Sequence, residues 1–294
     1  MAAAARHSTG VEGLDAHLGG GLIPGTLTVV VGASGIGKTQ LGLQYAQAGL
    51  SQEGRAGIVF DMTARIDSQS HADYAGRMFD RQLVPVDPQA AAPLDEVFDP
   101  AHVQGDYLHI FDHAGKRVTQ REMGFDAWHD WQGVLASKLG ATVGFFYGNF
   151  IHGARRAVID GIEPADRPSE SVQFELFEYM YHQCVRKEHD WVARELLRQR
   201  YRALADEVER HKYDHRQISC LALVTSHEML LDDLIERKLV DGDLLANANT
   251  LIYLGKIREG EKTARGLFIA KHRGSACSDD VLRYTIDDRG LKLV

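Results

Sequence analysis

Gly32-Ala33-Ser34-Gly35-Ile36-Gly37-Lys38-Thr39 is a complete G-x-x-x-x-G-K-[ST] phosphate loop, and its flanks place it between a strand and a helix. Thr26-Leu27-Thr28-Val29-Val30-Val31 is apolar and β-branched, the pattern of a buried strand, while Leu41 to Gly49 carries helix-compatible residues. Gly32, Gly35 and Gly37 let the backbone turn its N–H groups inward around phosphate oxygens, and the positive end of the following helix favours the same charge. In such a loop Lys38 reaches the β- and γ-phosphates and the Thr39 hydroxyl meets magnesium. The expected nucleotide-binding stretch is Gly32, Ala33, Ser34, Gly35, Ile36, Gly37, Lys38, Thr39 and Gln40.

The composition sets the frame for this loop. A chain of 294 residues with 44% hydrophobic and 25% charged residues can bury a sizeable core, and no apolar run is long enough to span a bilayer. Met1 to Ala5 is followed by Arg6, His7 and Ser8, which lacks the apolar segment of a secretory signal, so a cytoplasmic location without membrane association is expected. Cys184, Cys220 and Cys277 are widely spaced and odd in number, which points to reduced thiols and away from a zinc site. A net charge of -8 argues against nonspecific nucleic-acid binding over the whole surface and leaves only a local basic groove open.

Upstream of the loop, Ser8-Thr9-Gly10-Val11-Glu12-Gly13-Leu14-Asp15 leads through Leu18 to Gly19-Gly20-Gly21 and Pro24-Gly25. Leu14 and Leu18 fall on one face of a short helix that glycines stop before the first strand. This lead-in resembles that of the RecA/RadA/KaiC superfamily of ATPases, and the chain as a whole is most similar to single-domain KaiC-like proteins. The resemblance implies ATP with Mg2+ as ligand and an α/β fold: a RecA-like core with a mostly parallel sheet flanked by helices.

Later landmarks follow in the order the resemblance implies. Ala56 to Phe60 reads as a second strand and Tyr107 to Phe111 as a third. Arg156-Ala157-Val158-Ile159-Asp160 is an apolar run ending in a carboxylate, the Walker B pattern, so Asp160 is expected to hold magnesium through water beside Thr39. Cys220 to Ser226 is a further strand with a polar tip, followed by His227 and Glu228. Lys271-His272-Arg273-Gly274-Ser275 resembles the K-x-R-G-S segment of KaiC-like and RadA-like proteins. That resemblance makes Lys271 and Arg273 trans-acting fingers on a neighbour's nucleotide, in a homo-oligomer with ATP at subunit interfaces. Strand periodicity would put both on one face. Val281 to Val294 reads as a closing hairpin.

One departure bears on chemistry. In the superfamily a glutamate after the second strand polarises the attacking water, but here Thr63 and Ala64 take the corresponding positions. A missing general base removes about 10²–10⁴-fold in rate, so slow turnover is expected. Asp61, two residues earlier, is the chosen substitute, ahead of Asp67, Glu163 and Glu228; its competing role is to cap the following turn.

Two regions exceed a minimal core. Val84 to Ala101, rich in Pro, Ala and Asp, reads as an exposed loop, and Trp128 and Trp131 beyond it have helical spacing suited to a core. A helical insertion is expected at about 164–216. It starts near Pro168-Ser169-Glu170, and its apolar stripe could dock on the parent domain, clasp a neighbouring subunit or recruit a protein partner. Arg194, Arg198, Arg200 and Arg202 alternate with acids, which favours a solvated face over a phosphate-binding stripe. Met229 to Asp243 is apolar and acidic. The reading is one RecA-like domain over residues 1–294 that acts as an ATP-driven oligomeric switch in signalling or regulation. A DNA repair ATPase and a noncatalytic, nucleotide-stabilised scaffold stay open as alternatives.

Overall fold

The structure is a computed structural model describing residues 5–63, 70–90, 94–102, 104–111, 125–163, 172–237 and 244–294. A short helix α1 (Leu14–His17) precedes strand β1 (Leu27–Gly32), and the phosphate loop opens helix α2 (Lys38–Gln52). Strand β2 (Ile58–Asp61), helix α3 (His71–Phe79) and strands β3 (Pro85–Val86) and β4 (Tyr107–His109) follow. Helix α4 (Phe125–Ile151) leads to β5 (Arg156–Ile162), and helices α5 (Val172–Met180), α6 (His189–Leu197) and α7 (Ala205–Arg210) precede β6 (Ser219–Thr225). After α8 (Leu231–Glu236) and α9 (Leu244–Asn247) come β7 (Thr250–Glu259), β8 (Lys262–His272), β9 (Leu282–Asp287) and β10 (Gly290–Leu293).

These strands form one sheet in the order β10-β9-β8-β7-β1-β6-β5-β2-β4-β3. It is parallel from β7 to β3 and antiparallel from β7 to β10. The fold is thus α/β with a RecA-like core, a mostly parallel sheet flanked by helices. β1 is buried along its whole length because both faces are covered, as its unbroken apolar run requires. Val29 and Val31 face a core shared with Phe146 of α4 and Phe177 of α5, whereas Val30 faces a core shared with Leu41 and Tyr45 of α2. Helix α2 lies tight on β5 and β6. A Cβ at Gly42 would come within 2.9 Å of Leu223 and 3.0 Å of Val158.

The lead-in to β1 is held by one carboxylate. Asp15 accepts hydrogen bonds from Ser8 Oγ (2.5 Å), Thr9 N–H (2.7 Å) and Thr9 Oγ1 (2.7 Å), which gives the Ser-Thr and Leu-Asp pairs a shared purpose. Leu14 and Leu18 are fully buried as expected.

Several expectations are corrected. β2 starts at Ile58 and runs to Asp61, and β4 stops at His109, two residues short of Phe111. The Val84 to Ala101 segment is more than an exposed loop: Pro85–Val86 pairs with β4 as an edge strand, where a proline without N–H is tolerated, and Val97 and Phe98 are buried. The insertion is a series of short helices, with its apolar stripe docked on the parent sheet. Phe177, Met180, Val192, Leu196 and Leu197 join the core on that face. Residues 164–171, with Pro168, Ser169 and Glu170, lie outside the described residues, as do Ala64, Asp67 and the side chains of Trp128 and Trp131. Among the described residues no helix is long and apolar enough to cross a membrane.

Candidate nucleotide site

Parallel pairing brings the carboxyl ends of β1, β2, β4, β5 and β6 to one edge of the sheet. Gly32 pairs with Thr225, and Asp61 pairs with both Asp160 and His109. The chain leaves β1 and crosses over β6 and β5 to reach β2, the kind of break in strand order where open α/β sheets bind ligands. There the phosphate loop, the start of α3 and these strand ends enclose a cleft of about 420 Å³.

The loop's glycines meet specific demands. Gly35 has φ 75° with open space where a Cβ would stand, and Gly37 has φ 111° with its Cβ position 2.7 Å from Ile286. Ile36 and Ala33 are buried beneath the loop, while Ser34 is exposed. Lys38 Nζ donates to the carbonyls of Gly32 (2.8 Å) and Ala33 (2.9 Å), so the ammonium is curled over the loop. Gln40 borders the same cleft. Thr39 Oγ1 donates to Asp160 Oδ2 at 2.8 Å, joining the loop to the end of β5. A bulge after Ile159 sets Asp160 in place. Gly161 at φ 92° lies where a Cβ would be 2.3 Å from Thr63 N, and its N–H donates to Asp160 Oδ1 at 2.7 Å.

This donor set fits Mg2+ with a nucleotide: one hydroxyl and one carboxylate side by side, beneath an open glycine cradle. Among the described residues no group of three or more His, Cys, Asp or Glu is arranged to hold a metal, so magnesium here would take its remaining ligands from phosphate and water.

Asp61 is buried and already well provided with donors. Thr63 N–H donates to Oδ1 at 2.8 Å, Tyr107 OH to Oδ2 at 2.6 Å, and His71 Nδ1 stands 3.2 Å from Oδ2. Burial pushes this carboxyl up, but the charge and hydrogen bond of His71 outweigh it and hold Asp61 well below the usual carboxylate range. For His71, burial opposes the charge, yet Asp61 and the hydrogen bond to Asp160 push the imidazole up to about 10. Tyr107 moves up through burial and the Asp61 charge. Thr63 lines the cleft at the position expected for the glutamate, its carbonyl accepting from His109 Nε2 at 2.9 Å.

Sequence reasoning missed His71 and Tyr107. A signal for the first exists: Ser70 and Asp73 form a capping box, with Ser70 N–H to Asp73 Oδ2 at 2.8 Å and Asp73 N–H to Ser70 Oγ at 3.2 Å, which puts His71 at the first helical position. It also missed the support under the loop. Tyr284 OH donates to the Ile36 carbonyl at 2.8 Å, and Gln44 exchanges two hydrogen bonds with the backbone of Leu291.

Lys271 and Arg273 do not border their own cleft. His272 at the end of β8 pairs with Thr250, which pairs with Thr28 at the beginning of β1, whereas the phosphate loop follows the other end of β1. Lys271 Nζ donates to the Ala246 carbonyl at 2.8 Å. Arg273 is exposed and lies beyond the last residue of β8, so the shared strand face expected for the two cations is corrected.

A RecA-like sheet with a phosphate loop at its central strand and a carboxylate on β5 defines the class of protein. Residues 7–66 match the family model of the KaiC ATPase, a stretch running from the lead-in through the loop and β2. The match supports an ATP-binding ATPase of the RecA superfamily. A comparison with curated proteins finds no match.

Proposed function

We propose that the protein is a slowly hydrolysing KaiC-like ATPase that works as a nucleotide-dependent oligomeric switch. Gly32 to Gln40 hold the phosphates, Lys38 neutralises the β- and γ-phosphates, and Thr39 and Asp160 hold magnesium, which when bound supplies further charge neutralisation. Asp61 takes the place of the missing glutamate by orienting water. Its oxygens are largely committed to Thr63, Tyr107 and His71 and its carboxyl has little tendency to take a proton, so turnover is slow.

The observation that carries the switch is the location of Lys271 and Arg273 at the sheet end away from their own loop. A second copy would bring them to a nucleotide, so that assembly and turnover depend on each other. The test is particle mass and phosphate release on one sample, with and without ATP–Mg, beside Lys38→Ala. ATP-driven assembly with slow, Lys38-dependent turnover supports the switch; a monomer with brisk turnover overturns it, and ATP binding without turnover in the assembly favours a scaffold.

One observation favours a second reading, a DNA-dependent ATPase. Arg194, Arg198 and Arg202 border an open cleft beside Tyr201 in the insertion. Against it, Arg194 is bonded to Asp190 at 2.8 Å. DNA-stimulated turnover that falls steeply with salt would support this reading, and absence of DNA binding at low salt would end it.

A further inference from the structure

The ring of His71 stands between the two carboxylates of the cleft. Nδ1 faces Asp61 Oδ2 at 3.2 Å and Nε2 faces Asp160 Oδ2 at 3.0 Å, with the side chain almost wholly buried. Asp61 and Asp160 are register partners on the adjacent parallel strands β2 and β5, so their backbones are about 5 Å apart. Two like charges that close push each other away, and the strands alone do not set where the carboxylates point. A rigid ring with one nitrogen on each carboxylate does. The ring is itself fixed: the Ser70 cap sets the first turn of α3, and the Tyr107 ring lies 5.6 Å away by centroid.

This geometry also excludes a familiar role. Both ring nitrogens are committed to carboxylate oxygens, so neither is free to draw a proton from water. We propose that His71 is a positioning residue for ATP hydrolysis, locking Asp61 and Asp160 at the separation from which one orients the attacking water and the other serves the metal. The proposal rests on the ATPase reading above. It adds a residue from α3, outside the strand ends and the phosphate loop, on which the rate depends while nucleotide binding does not.

The experiment measures single-turnover hydrolysis and, separately, affinity for a fluorescent ATP analogue with Mg2+, in wild type, His71→Ala, His71→Gln, Asp61→Asn and the His71→Ala/Asp61→Asn double variant. In His71→Ala the rate should fall about 10- to 100-fold while affinity stays within about threefold, since second-sphere losses misplace reacting groups more than they weaken phosphate contacts. Retained affinity shows that the variant is folded. His71→Gln should recover part of the rate, because its amide can still donate to one carboxylate. The double variant should be slower than Asp61→Asn by clearly less than the factor His71→Ala costs on its own, because with Asp61 already removed only the hold on Asp160 is left to lose. An unchanged rate in His71→Ala, an affinity loss that matches the rate loss, or additive effects in the double variant would each overturn the proposal. If wild type shows no Lys38-dependent ATP binding, the ATPase reading itself falls. A wild type that turns over ATP through Lys38 while His71→Ala keeps pace removes only the role given to His71.

Discussion

His7 and His71 show how neighbouring charges decide whether a buried imidazole keeps or loses its proton, since burial alone pushes both down. His71 has carboxylates on both ring nitrogens and holds its proton, whereas His7 lies in the lead-in with Arg156 nearby and a ring Nδ1 that has no hydrogen-bond partner among the described residues. Burial, reinforced by the Arg156 charge and opposed by Glu53, pushes the His7 imidazole down to about 4. Its ordinary value is 6.5, so between these two pH values the unfolded chain binds the proton more readily than the folded one. Stability from His7 is therefore complete above pH 6.5, declines as pH falls, and is lost by about pH 4. The loss is about 2 kcal/mol at pH 5 and about 3 kcal/mol by pH 4. Urea unfolding of wild type and His7→Gln at pH 7.5 and pH 5 should show a smaller pH-dependent drop in the variant; equal drops would rule out His7 as the source.

Among elements, the phosphate loop depends on a partner far away in sequence. The β9–β10 hairpin packs beneath it, with Ile286 and Leu291 against Gly37 and the Tyr284 hydroxyl on the Ile36 carbonyl. Tyr284→Phe leaves that buried carbonyl without its donor, at a cost of about 1–3 kcal/mol, and should weaken ATP–Mg binding severalfold. Isothermal titration with ATP–Mg checks this, and wild-type affinity would show that the loop holds its shape unaided. The hairpin was legible in the sequence as alternating residues around Asp288-Arg289-Gly290. Its docking under the loop was not, because strand alternation marks a buried face without naming what covers it. The edge strand at Pro85 was hidden for a related reason: two residues carry no period, and proline reads as a loop until a neighbouring strand gives it an edge.

At the scale of the whole molecule, the sheet separates the loop from Lys271 and Arg273. If the cations serve a neighbour's nucleotide, Arg273→Ala should lower turnover while preserving ATP binding, and Lys38→Ala should be inactive. A mixture of the two should then recover part of the activity, because assemblies of both variants contain interfaces that pair an intact loop with an intact Arg273. Phosphate release across mixing ratios reads this out; a mixture no more active than the weighted sum of its two components would place the finger role elsewhere. Lys271 and Arg273 could be picked out from their segment, and the loop, β1 and Asp160 from short local patterns, since a phosphate loop or an apolar strand ending in a carboxylate is written in adjacent residues. The sequence by itself therefore determined the ligand class, the α/β fold and the carboxylate at the end of β5. Only the tertiary structure decided that Asp61, His71, Tyr107 and Asp160 share one hydrogen-bonded cluster and that Lys271 and Arg273 face away from it. Strand order and strand direction bring residues far apart in the chain to the same edge or to opposite ends, and neither is encoded in the spacing of neighbouring residues.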